Sequence, residues 1–376
     1  MLYGLYEPDE LLTLCMFHLF GEKGKLGIDI GTASIKVVEL QKKGQRFELS
    51  NYGLFELKSG VSDSQATAGR GILKLPDEEI IWGIKEVLRK SGIKSTDAVA
   101  SIPSFSTFST IIEMPYLSEQ DLAKALPFEA KKYIPIPLNE VVLDWSIIDI
   151  SNINPVPGKS SPGSKPTTVD VFVAAVPKDE TARYQRIMKG AGLNLRALEL
   201  ENTALIRALL GNDLSPTAII NIGGRSTSIV IINKGYEQVS HNYEVGGFEI
   251  TKSIARSLNV SLEKAEDLKR KIGLKPSDEN IVNEAMSSLV DMMVFEAKKT
   301  ISNYESSKNI KVSKVLLVGG LSNMPHFMEY FKKKLNMDVY GANAFARVMY
   351  PQQLSPVIQE LANAFAIAAG LAMREI

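Results

Sequence analysis

LGIDIGTASIKVVEL, residues 26–40, decides how this chain folds. Leu26, Ile28 and Ile30 alternate with Gly27 and Asp29; Gly31-Thr32-Ala33-Ser34 interrupts the apolar run, and Ile35 to Leu40 resumes it. The pattern predicts a strand, a turn of small residues and a second strand, a hairpin rather than the strand-to-helix turn of a P-loop. Such a turn lets backbone N–H groups approach a ligand, its hydroxyls can donate to phosphate oxygens, and Lys36 supplies a compact positive charge. Asp29, at the end of the first strand, is placed to hold a hydrated divalent cation against those phosphates. Taken alone, the stretch is equally an ordinary β-turn beside a buried aspartate.

The bulk of the chain narrows the choice. At 376 residues it exceeds what one hydrophobic core usually supports, so two lobes with a cleft between them are expected. Lys plus Arg equals Asp plus Glu at 43 each, which leaves no basic excess for a nucleic-acid partner or a broadly anionic membrane surface. The single cysteine, Cys15, excludes an intrachain disulfide framework and fits a reducing cytosol. His18, His241 and His326 are far apart and lack zinc-ligand spacing. The apolar run Ala364 to Met373 is too short to span a bilayer. Near the start, Leu11 to Phe17 is apolar but follows an acidic Glu7-Pro8-Asp9-Glu10, the wrong flank for a secretory signal; a surface-lying amphipathic anchor is the functional alternative.

Beyond the hairpin, Gln45 to Leu57 reads as a third strand and Pro76 to Lys90 as a helix with an acidic first turn. Two strands, Asp97 to Ile102 and Phe105 to Met114, precede a helical stretch from Ser118 to Ile134 that Pro127 is expected to break. Val141 to Ile150 and Val169 to Val176 alternate as paired strands, and the Pro-, Gly- and Ser-rich Ser151 to Thr168 reads as the long tip joining them. Lys178 to Gly190 is a helix, and Leu195 to Leu210 begins as a strand and continues as a helix.

The opening pattern then returns. Thr217 to Ile222 is an apolar strand, Asn221 to Ser228 supplies Gly223, Gly224, Arg225, Ser226 and Thr227 in a turn, and Ile229 to Asn233 is the return strand. Two such hairpins, about 190 residues apart and each opening a lobe, fit an internally duplicated fold whose loops grip a polyphosphate from both sides. A third turn, Gly319-Gly320-Leu321-Ser322-Asn323, follows the strand Val315 to Val318 and precedes a helix through Lys334, suiting a flat base and a ribose.

These three turns, in this order, resemble the actin, sugar kinase and heat-shock chaperone superfamily of ATP-binding proteins. Within it, residues 25 to 376 resemble the PilM family of type IV pilus assembly proteins, relatives of the cell-division protein FtsA. The resemblance is carried most specifically by LGIDIGTASIKVVEL, by Leu126-Pro127-Phe128-Glu129-Ala130-Lys131-Lys132-Tyr133-Ile134-Pro135, and by Gly246 to Thr251 followed by Ala265 to Lys269. It implies an α/β, actin-like (ribonuclease H-like) duplicated two-lobe fold with an FtsA-type inserted subdomain. The implied division is an extension at 1–24, lobe 1 at 25–96 and 179–215, the insertion at 97–178, lobe 2 at 216–258 and 311–350, its upper part at 259–310, and a helix over 351–376 returning to lobe 1.

The resemblance further implies ATP and Mg2+ as ligands, bound by the three turns, by Asp29 through water, by Gly247, and by Glu266 and Lys269 reaching the nucleoside. A solvated helix face is the alternative for the last pair. It implies a groove for the N-terminal peptide of a PilN-like bitopic membrane protein, with Leu126, Phe128, Glu129, Tyr133, Ile134 and Pro135 as candidates that are equally plain core. Other inner-membrane pilus assembly proteins and the assembly ATPase are the further implied partners, in a cytoplasmic protein that meets the membrane only through them. The chain departs from the superfamily at Asn221, where actin-like ATPases usually carry an acidic residue; an amide cannot take a proton. Glu199 and Glu201 remain as candidates to polarise water, or are surface charges, and hydrolysis is expected to be slow at most. An FtsA-like filament protein and a small-molecule kinase are the competing readings; the first wants a membrane-binding tail and the second a catalytic aspartate.

Overall fold

Strands β1 (Lys25–Ile30) and β2 (Ser34–Lys43) form the hairpin that the alternation predicts, with Ile30 opposite Ile35 and Asp29 opposite Lys36. The structure, a computed structural model, describes residues 25–57, 75–149, 168–275 and 281–375. The expectations for the apolar cluster near the start and for the tip between residues 151 and 167 lie outside the described residues.

Along the chain follow β3 (Arg46–Glu56), α1 (Asp77–Lys90), β4 (Asp97–Ile102), a 3-10 turn at Ser104–Ser106, β5 (Phe108–Pro115), α2 (Glu119–Ala130), β6 (Val141–Asp149) and β7 (Thr168–Pro177). Next come α3 (Lys178–Gly190), β8 (Asn194–Leu200) and α4 (Glu201–Leu209). The second half holds β9 (Thr217–Ile222), β10 (Thr227–Asn233), β11 (Tyr236–Tyr243), α5 (Gly247–Leu258), α6 (Leu262–Ile272), α7 (Ile281–Lys308), β12 (Lys314–Val318), α8 (Phe327–Leu335), β13 (Val339–Gly341), β14 (Val348–Met349), α9 (Ser355–Leu361) and α10 (Ala366–Ala372).

Three sheets result. The first has the order β14-β3-β2-β1-β4-β8 and the second β11-β10-β9-β12-β13. In each, three antiparallel strands are extended by parallel ones: β4 runs parallel to β1 and β8 to β4, as β12 runs parallel to β9 and β13 to β12. This is the duplication that the recurring hairpin predicts, since a parallel step needs a helical crossover and the helices between the strands supply it. The third sheet, β5-β7-β6, has its own apolar core with α2 against one face, through Leu122, Leu126 and Ala130.

Helix α10 lies where glycines let backbone meet backbone. A Cβ on Gly27 of β1 would stand 2.0 Å from the Ala368 carbonyl oxygen, and one on Gly370 would stand 2.0 Å from that of Ala204 in α4. Hydrogen atoms alone fit there, which fixes both residue types. Every residue of α10 is buried. We expect Gly370→Ala to destabilise the protein by about 1–3 kcal/mol, the usual cost of overpacking a core, read as a lower urea midpoint at unchanged slope.

Two local expectations are corrected. Pro127 lies inside α2 without breaking it: the helix gives up one N–H donor, and the Lys131 N–H still reaches the Pro127 carbonyl at 3.2 Å. The stretch Ser355 to Arg374 is two helices, α9 and α10, meeting at 119°. Between them the Asn363 carbonyl accepts from the Gly319 N–H at 3.1 Å, so it is lost to the helical ladder. As expected, the Gly319-Gly320 turn is followed by a helix: a 3-10 turn at Gly320–Asn323 leads on to α8, which starts at Phe327.

Candidate functional site

The two hairpin turns confront each other. A Cβ on Gly224 would lie 2.6 Å from Ala33 Cβ and 3.3 Å from Thr32 Oγ1, although the two residues stand on different sheets. Each turn is closed by its own backbone: the Gly31 N–H donates to the Ser34 carbonyl at 3.1 Å and the Gly223 N–H to the Ser226 carbonyl at 2.9 Å. Among the described residues, the interior amides of Thr32, Ala33, Gly224 and Arg225 have no backbone acceptor within either turn. Amides presented this way make an anion-binding concavity.

The N-terminus of α5 braces the second turn. The Gly247 N–H donates to the Gly223 carbonyl at 3.0 Å and the Phe248 N–H to that of Gly224 at 2.7 Å. Helix α6 braces α5 in turn: Lys269 Nζ, buried, donates to the Gly247 carbonyl at 3.1 Å, Thr251 Oγ1 at 2.9 Å and Glu266 Oε2 at 2.6 Å. Lys269 is therefore no solvated face residue. Burial pulls its pKa down, whereas Glu266, also opposed by burial, is held below the usual carboxylate range by the charge of Lys269. Gly247, Lys269 and Leu321 converge, with a Gly247 Cβ 3.5 Å from Lys269 Nζ and 3.9 Å from Leu321 Cδ1. Gly319, at φ +94°, would carry a Cβ 2.1 Å from the Ile222 carbonyl oxygen, whereas a Cβ on Gly320 would meet open space. Asn323 bonds Asn363 and the Glu360 carbonyl.

Some candidates point elsewhere. Thr227 Oγ1 donates to the Val245 carbonyl at 2.7 Å and is buried, so its hydroxyl braces a loop. The Arg225 guanidinium stacks over the Phe248 ring at 4.4 Å, with Lys252 Nζ 5.1 Å from the same ring. Asn221 lies beside Gly319, its Oδ1 3.1 Å from where a Cβ would be.

The carboxylates at 199 and 201 separate because the strand ends between them. Glu199, on β8, is buried between Arg207 and Arg374, with Arg207 Nη1 at 2.9 Å and Arg374 Nη1 at 2.8 Å. Both its oxygens are engaged, which removes it as a water-polarising group. Glu201 opens α4 and turns toward the first hairpin, where Asp29 is ion-paired to Lys36 at 3.2 Å. Its carboxyl accepts from the Ser104 N–H at 3.2 Å and is raised to about 8, by burial first and by the negative charge of Asp29 second. Tyr184 is pushed up by burial and by Glu201 and Asp29. Buried polar residues Ser104, Asn202 and Glu237 were not legible as a site; the one signal was Asn202 directly following Glu201.

In the third sheet the expected groove splits. Leu126 and Ile134 are buried core, because Leu122, Leu126 and Ala130 make the inward stripe of α2. Phe128 is 78% exposed and Tyr133 49%, Pro135 is exposed, and Glu129 pairs with Lys132 at 2.7 Å.

A profile of the family described as type IV pilus assembly protein PilM matches residues 27–376. The chain belongs to the PilM family. The cell-division protein FtsA of Enterococcus faecalis (strain ATCC 700802 / V583) is 22% identical to this PilM-family chain over 359 residues, 85% of it and 77% of that protein. The ethanolamine utilization protein EutJ of Escherichia coli (strain K12) is 27% identical over 154 residues, covering 39% and 48%. Among solved structures, a chain of a PilM-PilN type IV pilus biogenesis complex superposes with a TM-score of 0.77 at 23% identity, over 93% of this chain and 98% of that one. EutJ from Carboxydothermus hydrogenoformans superposes with a TM-score of 0.57 at 19% identity, over 97% and 94%. The fold is actin-like, as the duplicated sheets lead one to expect. Among the described residues, no single helix is long and apolar enough to cross a membrane.

Proposed function

We propose that this PilM-family protein binds ATP with Mg2+ between its two hairpins and takes up the N-terminal peptide of a PilN-like single-span membrane protein more tightly when the nucleotide is present. The observation that carries this reading is the confrontation of Gly224 with Thr32 and Ala33. Two rows of amides, one from each lobe, favour a polyphosphate lying between them and only when the lobes are together. A groove completed in the same closed state inherits that preference by linkage.

The residues fit the ligand. Among the described residues no three His, Cys, Asp or Glu side chains cluster as a protein-only metal cage would require. One carboxylate, Asp29, beside the phosphate turn suits a magnesium that keeps its waters and takes further oxygens from phosphates. Magnesium would supply positive charge against the phosphates there. Lys269 and Glu266 fix the α5–α6 corner that a nucleoside would meet, and Gly320 leaves room for a flat ring. Glu201 is the other candidate carboxyl beside Asp29, and because it holds its proton at neutral pH only a minor fraction is free to act as a base, which suits slow hydrolysis. Beside the third sheet, Phe128, Tyr133 and Pro135 are the expected groove residues that are exposed and free to meet an extended apolar peptide. The protein would then sit at the inner membrane through its partners, together with other assembly proteins and the assembly ATPase.

Calorimetric titration of a PilN-like N-terminal peptide into the full chain, without and with Mg-ATP, tests this. Tighter binding with nucleotide is expected; equal affinity in both states overturns the linkage. Across the cleft mouth, Arg270 of α6 joins Glu266 at 2.9 Å and Glu56 of β3 at 3.3 Å. Half-exposed pairs of this kind contribute about 0.2–1 kcal/mol. Arg270→Ala is therefore expected to speed nucleotide release by about two- to fivefold in stopped flow, an effect that shrinks as salt is raised.

A further inference from the structure

One buried polar cluster joins all three sheets. Strand β4 of the first sheet runs into the 3-10 turn at Ser104–Ser106, which leads directly to β5 of the third sheet. The first two residues of α4 hold that turn from both ends of one serine. Glu201 accepts from the Ser104 N–H at 3.2 Å and Asn202 Oδ1 accepts from Ser104 Oγ at 3.0 Å. Asn202 Nδ2 donates onward to Glu237 Oε2 at 2.8 Å and Ser240 Oγ at 3.2 Å, both on β11 of the second sheet. Glu237 Oε1 then accepts from Ser109 Oγ of β5 at 2.5 Å. Ser104, Asn202 and Glu237 are 6%, 3% and 6% exposed.

We propose that this Glu201–Ser104–Asn202–Glu237–Ser109 chain is the joint through which occupancy of the hairpin cleft sets the position of β5, and with it the sheet that presents Phe128 and Tyr133. The inference rests on the nucleotide reading for the identity of the ligand and goes beyond it in naming the residues that transmit the signal.

Two physical features support transmission rather than mere packing. Glu201 lies among Asp29 and Lys36 of the first hairpin and grips the Ser104 N–H directly, so a ligand that rearranges that ion pair changes the surroundings of the group that holds the turn. The chain also cannot slip cheaply. Asn202 uses its acceptor on Ser104 and its donor on Glu237 and Ser240, and abandoning a buried polar partner costs about 1–3 kcal/mol per group. A shift at Glu201 is therefore followed by Ser104, and β5 is held to β11 by Glu237 as it follows.

Hydrogen–deuterium exchange of the full chain, without nucleotide and with a Mg-bound non-hydrolysable ATP analogue, reads this directly. The amides of Phe108 to Met114 in β5 are expected to change protection by about threefold or more in the wild type. In Ser109→Ala and Glu237→Gln, which are outside the ligand site, that response should fall below about half. Nucleotide affinity should stay within about threefold, because neither residue faces the hairpins. Glu237→Gln removes the charge and leaves one acceptor to serve both Asn202 Nδ2 and Ser109 Oγ; Ser109→Ala removes only the bond to β5, and it decides the matter where the glutamine variant fails to fold or turns its amide to keep both partners. An unchanged β5 response in Ser109→Ala, or none in wild type with the analogue bound, overturns the joint and leaves the nucleotide reading standing. No binding of the analogue at all overturns both.

Discussion

Gly224→Ala is expected to weaken Mg-ATP binding about thirtyfold, and Ala33→Gly in the same chain to restore most of the loss. The methyl group would arrive 2.6 Å from Ala33 Cβ, and carbon atoms do not pack closer than about 3.5 Å, so the turns must separate by about 1 Å. Backbone is what moves, because Ala33 has no longer side chain to swing aside. A polyphosphate held from both walls would lose at least one charge-assisted hydrogen bond, worth about 2 kcal/mol, or about thirtyfold in affinity. The rescue isolates the cause: removing the opposing methyl returns the gap without touching the amides. Calorimetry on the two single variants and the double variant measures it. Wild-type affinity in Gly224→Ala would mean that the gap between the turns is not where the phosphates lie.

Much of this cleft is legible in the amino-acid sequence, for a physical reason. A hairpin whose strands alternate and whose turn is all small residues constrains backbone, and backbone pattern is local in sequence. Hence β1 and β9 fall within a residue of their expected bounds, whereas β10 starts two residues earlier and β2 runs three residues further than expected. Side-chain destinations are less legible because they depend on partners far along the chain. Glu199 and Glu201 are two residues apart, but one finds Arg374 and the other Asp29. Thr227 resembles a phosphate-binding hydroxyl until the carbonyl of Val245, 18 residues on, accepts its hydrogen bond. Leu126 and Phe128 are also two apart and face opposite ways, since α2 continues through Pro127 and rotates them. The joint of Ser104, Asn202 and Glu237 spans three segments and leaves no periodic trace at all.

Glu201→Gln is expected to flatten the pH dependence of stability and to lower any measured ATP turnover by about 100-fold, the low end of what a positioned acid–base group contributes. The sign follows from the proton count. The Glu201 carboxyl sits at about 8 in the folded protein, against 4.5 for an ordinary glutamate, so between those values the folded state binds the extra proton. Stability must then fall as pH rises through that window, by at most about 1.4 kcal/mol per pH unit, and the loss is complete above the folded value. The glutamine variant has nothing to titrate. Its amide can still accept from the Ser104 N–H, so it should match wild type near pH 4.5 and exceed it by about 4 kcal/mol near pH 8.5, in urea unfolding at each pH. Asp29→Asn separates the two causes, because it removes the neighbouring charge but leaves burial in place. The wild-type slope should shift to lower pH in that variant without vanishing. Parallel stability curves for wild type and Glu201→Gln would mean that this carboxyl does not carry its proton into the neutral range, and its assignment beside the phosphate turn as a largely protonated base would fail with it.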